Sequence, residues 1–340
     1  MQRLFSMRLG AALAAALAAA LMASCGGSSG TLPNTSPDTN IAPKTELLAD
    51  WPTVTSSIQK DANMEARIAD IVTGMTLKEK VGQMVQAEIK DITPEQVKQY
   101  YIGSVLNGGG TWPQKNKQAT AADWVKLADD YWAASMAADS KNKIPVMWGT
   151  DAVHGHNNVY GATLFPHNIG LGAANNPDLI KRIGEATATQ VAATGIDWSF
   201  GPTVAVARDD RWGRTYESYS EDPQIVSKYA DAMVKGLQGD FTRTTTPTVI
   251  ATAKHFLGDG GTDQGDDQGI NKSSESDMIN IHGPGYYAAL GAGVQTVMAS
   301  FSSWTNTSLG TTVGKMLTDV LKTKMGLMVL SLGTGTVTPN

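Results

Sequence analysis

Apolar and polar positions along this chain alternate between two rhythms. Thr76-Leu77-Lys78-Glu79 is a capping box that opens a helix and leads into the apolar run 81–87. Thr93-Pro94-Glu95-Gln96 repeats the signal, with proline at the first helical position, where its missing N–H costs no hydrogen bond. Residues 102–106 then read as a strand that stops at Gly108-Gly109-Gly110. Helices are predicted over 121–138, 177–193, 223–237, 278–290 and 313–325, and strands over 144–148, 196–200, 248–254 and 294–301. Strand and helix in turn at this spacing predict parallel βαβ units. About six units can be counted, which gives the expected fold class as α/β, a TIM-type (β/α)8 barrel left incomplete. A doubly wound nucleotide-binding sheet is the weaker alternative, because no Gly-x-Gly-x-x-Gly follows the first strand and no Gly-Lys-[Ser/Thr] phosphate loop occurs.

Composition narrows the function. A net charge of −5 with no block of Lys or Arg excludes a nucleic-acid partner. The single cysteine, Cys25, has no intrachain partner, so a disulfide framework is excluded. It follows Arg3 and Arg8, an Ala/Leu-rich run over 9–22, and the small pair Ala23-Ser24. Residues 1–24 therefore read as a signal peptide, and Cys25 as the lipid-attachment residue of a bacterial lipoprotein; an ordinary signal-peptidase site beside a free cysteine is the alternative. Gly26 rather than Asp beside the anchor points to the periplasmic side of the outer membrane. Residues 25–48, rich in Gly, Ser, Thr and Pro, read as a disordered tether, and the folded domain is expected from 49.

Candidate chemistry gathers where strands end. Asp151-Ala152-Val153-His154-Gly155-His156 follows one strand. Its two histidines stand two apart around a glycine with no third ligand at a usable spacing, so neither a metal nor any other cofactor is expected. Asp151 has a plainer alternative as a turn or helix cap. Arg208 to Asp222 interleaves charges with Trp212, Tyr216 and Tyr219; guanidinium and carboxylate groups fork onto neighbouring hydroxyls while rings lie on the apolar face of a sugar. For Glu217 and Glu221 a surface ion-pair loop explains the pattern equally well. Lys254-His255 ends an apolar strand with two polar side chains suited to hydroxyl groups.

Taken in order, Asp151-Ala152-Val153-His154-Gly155, Phe165-Pro166-His167-Asn168, Arg211-Trp212-Gly213-Arg214, Tyr216-Glu217-Ser218 and Lys254-His255-Phe256 resemble glycoside hydrolase family 3, in its β-glucosidase and exo-β-glucanase branch. The resemblance runs from about 68 to 325. It implies that Asp151, Arg214, Lys254 and His255 hold the hydroxyls of a terminal β-D-glucosyl unit, with Met298 and Trp304 lining the pocket. Substrates would be β-glucosides or β-glucan oligosaccharides, cleaved with retention of configuration. The family's N-acetylglucosaminidase branch carries a histidine acid/base after the Lys-His pair; here the loop reads Gly258-Asp259-Gly260-Gly261, which disfavours that alternative.

The family's nucleophile is an Asp followed by Trp at the end of strand seven, and its acid/base is a Glu from a later domain. Neither is present in residues 1–340. Deleting one base from a family-like coding sequence at codon 327 reproduces the tail Leu327-Met328-Val329-Leu330-Ser331-Leu332 through Asn340, so 327–340 read as out of frame and strand seven as lost. On that reading no catalytic residue lies in this chain. It is then an inactive sugar-binding fragment or the product of a disrupted gene.

Overall fold

The computed structural model describes residues 50–239, 247–304, 315–327 and 330–332. Cys25, the signal segment, the tether and most of the tail lie outside the described residues.

Seven short parallel strands follow one another around a sheet: β1 (Gln86–Glu88), β2 (Ser104–Asn107), β3 (Met147–Thr150), β4 (Trp198–Ser199), β5 (Thr252–Phe256), then, after a peripheral strand β6 (Ile270–Asn271), β7 (Thr296–Ala299) and, beyond β8 (Ser303–Trp304), β9 (Leu330–Leu332). Pairing runs β1-β2-β3-β4 and β5-β7-β9, while β6 and β8 form a small ribbon of their own. The two main groups join through backbone hydrogen bonds from Ser199 to Ile250, Ile250 to Asp197 and Val204 to Lys254. The array has the architecture of a TIM-type barrel, and it is not closed: among the described residues nothing pairs with the outer edges of β1 and β9.

The inner face is filled by large rings and small polar groups. Trp198 Nε1 donates to Thr252 Oγ1 at 2.8 Å and Thr296 Oγ1 at 3.2 Å, tying β4, β5 and β7 together. Trp148 Nε1 donates to Asn107 Oδ1 at 2.8 Å, joining β3 to β2. Each of these buried donors finds its partner on a neighbouring strand, which fixes register as well as satisfying the donor.

Helices cover the outer face, and their starts follow the chemistry read from sequence. Thr76, Thr93 and Thr120 each make reciprocal capping boxes at α2 (Leu77–Gln83), α3 (Pro94–Tyr100) and α4 (Ala121–Met136). After α5 (Asn168–Ala174), α6 (Pro177–Ala192) and α7 (Pro223–Gln238) begin with proline behind the caps Asn176 and Asp222. These last two helices pack together through glycines: a Cβ on Gly184 would stand 3.0 Å from Gly236 Cα.

Some elements differ from the sequence expectation. The helix expected over 278–290 is a wide π-type turn (Met278–His282) followed by α8 (Pro284–Gly291), because Pro284 offers no N–H to carry the ladder through. The apolar run 81–87 is split between the end of α2 and the start of β1, a strand with no β-branched residue to announce it. Helix α1 (Ala62–Gly74), capped by Asp61, has no buried residue; Met64, Ile68 and Val72 are exposed, and so are Leu77, Val81 and Met84 further along the chain. The out-of-frame reading of the tail implies a lost strand seven, yet Leu330–Leu332 pairs in parallel with β7, Leu330 opposite Thr296. Any short apolar segment can complete a backbone ladder, since the ladder reads main chain and not side-chain identity.

Because the strands are parallel, the residues that follow them share one end of the barrel. The triple-glycine turn after β2, Asp151 after β3, the segment 200–222 after β4 and the end of β5 are all found there.

Candidate functional site

Asp151 leaves β3 with its backbone carbonyl accepting from Asn158 Nδ2 at 3.2 Å. Its carboxylate Oδ1 is 2.7 Å from Lys254 Nζ. The pair is lopsided: the lysine side chain is 4% exposed and the aspartate 35%. The ammonium is therefore buried behind the carboxylate, and the carboxylate faces open space. Gly108 stands on the far side, where a side chain would come within 4.0 Å of Asp151 Oδ2.

Lys254 and His255 are neighbours in a strand, and regular pleating would send them to opposite faces. The β5–β7 ladder slips between them: Lys254 pairs with Met298 and Phe256 with Ala299. This bulge leaves His255 out of register and allows both side chains to reach the same site. His255 Nε2 lies 3.2 Å from Arg214 Nη2, and its Nδ1 lies 2.8 Å from Asp259 Oδ2.

Arg214 precedes the single turn Thr215–Glu217 and is gripped by that turn's own carboxylate. Nε and Nη2 donate to Glu217 Oε1 and Oε2, both at 2.8 Å, in a parallel fork. Burial pushes the Glu217 carboxyl up, but the Arg214 fork and the Lys254 charge outweigh it and hold the group below its ordinary value. Burial opposes the Arg214 charge too, and Glu217 with Asp259 more than compensates. Asn168 Nδ2 donates to the Glu217 carbonyl at 2.7 Å, so the Phe165-Pro166-His167-Asn168 segment supports the arginine turn from behind.

A second layer lies at the rim. His154 Nε2 and His167 Nδ1 are 2.8 Å apart, with the exposed Tyr216 ring edge-on to His167 at 4.7 Å. Burial and the neighbouring His167 lower the His154 pKa. His156 turns inward instead, to Thr194 Oγ1 at 2.8 Å, so the two histidines of the motif go separate ways.

The structure thus brings Asp151, Arg214, Lys254 and His255 into one connected cluster and places Met298 beside Lys254 on the next strand. Trp304 is buried, its indole N–H donating to the Ser273 carbonyl, and it sits on β8 rather than on the main sheet. Of the aromatic residues in the charged segment, Trp212 is buried against Asp267 and Tyr219 is buried in the core, leaving Tyr216 as the exposed ring. Glu221 is exposed, the plainer of the two roles the sequence allowed it, and Asp222 caps α7. Two further carboxylates join the cluster: Glu217, for which the sequence left a surface ion-pair loop open, and Asp259, to which it gave no role. Their signals were local: Glu217 is three residues from Arg214, and Asp259 four from His255.

Against known proteins, residues 76–332 match the profile of the glycosyl hydrolase family 3 N terminal domain. A lysosomal beta glucosidase of Dictyostelium discoideum is 31% identical over 274 residues, covering 75% of this chain and 33% of the relative. A periplasmic beta-glucosidase of Salmonella typhimurium is 29% identical, covering 77% and 32%. The chain thus spans about a third of the length of these relatives. Among solved structures, an exo-1,3/1,4-beta-glucanase from a Pseudoalteromonas species aligns with a TM-score of 0.78 at 53% identity, over 84% of this chain and 36% of that one. A beta-glucosidase from Listeria innocua in complex with laminaribiose aligns at 0.65 and 26% identity, over 79% and 37%.

Proposed function

The chain belongs to glycosyl hydrolase family 3, and from that premise we propose that its pocket binds the terminal glucosyl unit of β-glucosides or β-glucan oligosaccharides, as the N-terminal part of a β-glucosidase or exo-β-glucanase. The observation that carries this is the half-exposed Asp151 backed by a buried Lys254. A carboxylate held so can accept two hydroxyl protons at once, while Arg214 and Lys254 donate to the hydroxyl oxygens.

Retaining hydrolysis needs two carboxyl groups about 5–5.5 Å apart, one a nucleophile and one a proton donor. In this cluster Asp151, Glu217 and Asp259 are already paired with Lys254, Arg214 and His255. Glu217, held below its ordinary value, is the wrong kind of carboxyl for a general acid. Residues 1–340 alone therefore bind sugar without turning it over, and the longer protein carries the chemistry. Titration calorimetry with glucose and laminaribiose tests the first half, and release of nitrophenol from an aryl β-glucoside tests the second. No heat with either sugar would remove the pocket assignment; turnover by residues 1–340 would remove the division of labour.

The segment before the domain supports a lipoprotein anchored at Cys25 on the periplasmic face of the outer membrane. No described helix is long and apolar enough to cross a membrane. Cys25→Ser should move the protein from the membrane to the soluble fraction, and unchanged retention would end that assignment.

A further inference from the structure

Asp259 begins the tight turn Asp259–Gly261 after β5 and is 6% exposed. The turn is pressed into place from two sides. Gly258 adopts φ +88° and its carbonyl accepts from Asn271 Nδ2 at 2.7 Å, while the Gly260 carbonyl accepts from the Arg208 N–H at 2.8 Å. A side chain at Gly260 would run into the Val206 carbonyl at 2.5 Å, so glycine is what allows this approach. Asp259 is thus fixed in position, with Oδ2 at 2.8 Å from His255 Nδ1.

The other nitrogen of that ring faces Arg214 Nη2 at 3.2 Å. A guanidinium has only N–H groups to offer, so a hydrogen bond there requires a lone pair on Nε2. The ring proton must then be on Nδ1, where Asp259 accepts it. The opposite tautomer sets N–H against N–H on one side and a bare nitrogen against a carboxylate on the other, both in a buried setting that magnifies the cost.

We propose that Asp259 is a positioning residue that locks His255 as its Nδ1–H tautomer, so that Nε2 is a hydrogen-bond acceptor facing the donor Arg214. A ligand hydroxyl that reaches Nε2 takes that lone pair over from Arg214, donating to Nε2 and accepting from the freed Arg214 N–H, which fixes its polarity and rejects groups that only accept, such as fluorine or a methyl ether. This consequence for ligands rests on the sugar-site reading; the state of the ring does not.

The test is a long-range proton–nitrogen spectrum of the whole chain labelled with nitrogen-15, which separates the two tautomers and the imidazolium. Only five histidines contribute, and His255→Gln assigns the ring in question. Wild type should show His255 with its proton on Nδ1. Asp259→Asn, whose amide can serve either nitrogen, should show a mixture of tautomers, with glucose affinity lower by about tenfold, the order expected for one misaligned charge-assisted hydrogen bond. An Nε2–H ring or an imidazolium in wild type overturns the proposal, and does so even if the variant fails to fold. An unchanged ring and unchanged affinity in Asp259→Asn also overturn it. A locked ring in a wild-type chain that binds no glucose upholds the role of Asp259 and retires the sugar reading instead.

Discussion

At the scale of single residues, the site is a chain of opposite charges, and each link has a different task. Lys254 is buried and Asp151 is not, so substituting the aspartate disturbs the ligand face more than the core. Asp151→Asn keeps the shape and removes the charge. In a version of the enzyme completed with the missing carboxyl groups, it should lower kcat/KM for β-glucosides by on the order of 10²–10³, the effect of losing a charge-assisted hydrogen bond of about 3–4 kcal/mol that tightens in the transition state. Kinetics on an aryl glucoside, with a melting curve beside them, provide the check; near-normal turnover in a folded variant would exclude Asp151 from the pocket. Asp151, Arg214, Lys254 and His255 could be picked out as candidates in the sequence because they stand in dense motifs at strand ends, and the structure brings them together. Glu217 and Asp259 were harder to pick out: a carboxylate three or four residues from a basic side chain is also the commonest surface ion pair, as Lys126 and Asp130 demonstrate on α4. Burial separates the two cases, and burial is not written in the local sequence.

At the scale of elements, helix starts were readable where Thr, Asn or Asp preceded proline or stood three residues before an acidic or amide side chain, because capping is a local hydrogen-bond problem. Strand ends were less readable. β4 is two residues long by its ladder, although the predicted run is 196–200, since the chain bends into the loop that carries Arg214. β1 and the split of the 278–290 helix depend on what neighbours supply. Helix α5 is the clearest case of an element placed by a contact no pattern announces: a Cβ on Gly172 would collide with the Tyr219 carbonyl. Gly172→Ala must therefore push α5 away from the 215–219 turn. Overpacking of this kind costs about 1–3 kcal/mol, and the displacement carries Asn168 with it, loosening the Glu217 carbonyl it holds. The expected result is a lower melting temperature together with weaker glucose binding. Gly213→Ala, at a position with nothing within 4 Å, serves as the control and should leave stability within about 0.5 kcal/mol. A Gly172→Ala protein that melts like wild type would contradict the packing.

At the scale of the whole molecule, the buried histidines His156 and His282 set the response to acid. Burial pushes the His156 imidazole down to about 4, and burial likewise brings His282 to about 4 against the opposing pull of Asp259. In the unfolded chain both return to about 6.5. Between those values the unfolded state binds protons that the folded state refuses, so stability falls as pH falls. The contribution is fully present above pH 6.5 and is withdrawn progressively down to about 4, at roughly 3 kcal/mol for each ring. His154, also lowered, acts in the same direction. Glu217 adds to the loss at the acid end: its carboxylate is stabilised in the fold, and that stability disappears as pH drops through its lowered value. None of these groups favours the folded state on acidification. Denaturant melts at a series of pH values should therefore show a plateau above neutrality and a decline below it. In the pH range between 5 and 6 the slope should approach two protons, about 2.7 kcal/mol per pH unit. Replacing His282 with Gln removes one ring and should lower that slope by close to one proton, about 1.4 kcal/mol per pH unit. A flat profile from pH 7 to 5, or stability that rises toward acid, would mean that these rings are charged in the folded protein, and the buried neutral core described above would be wrong.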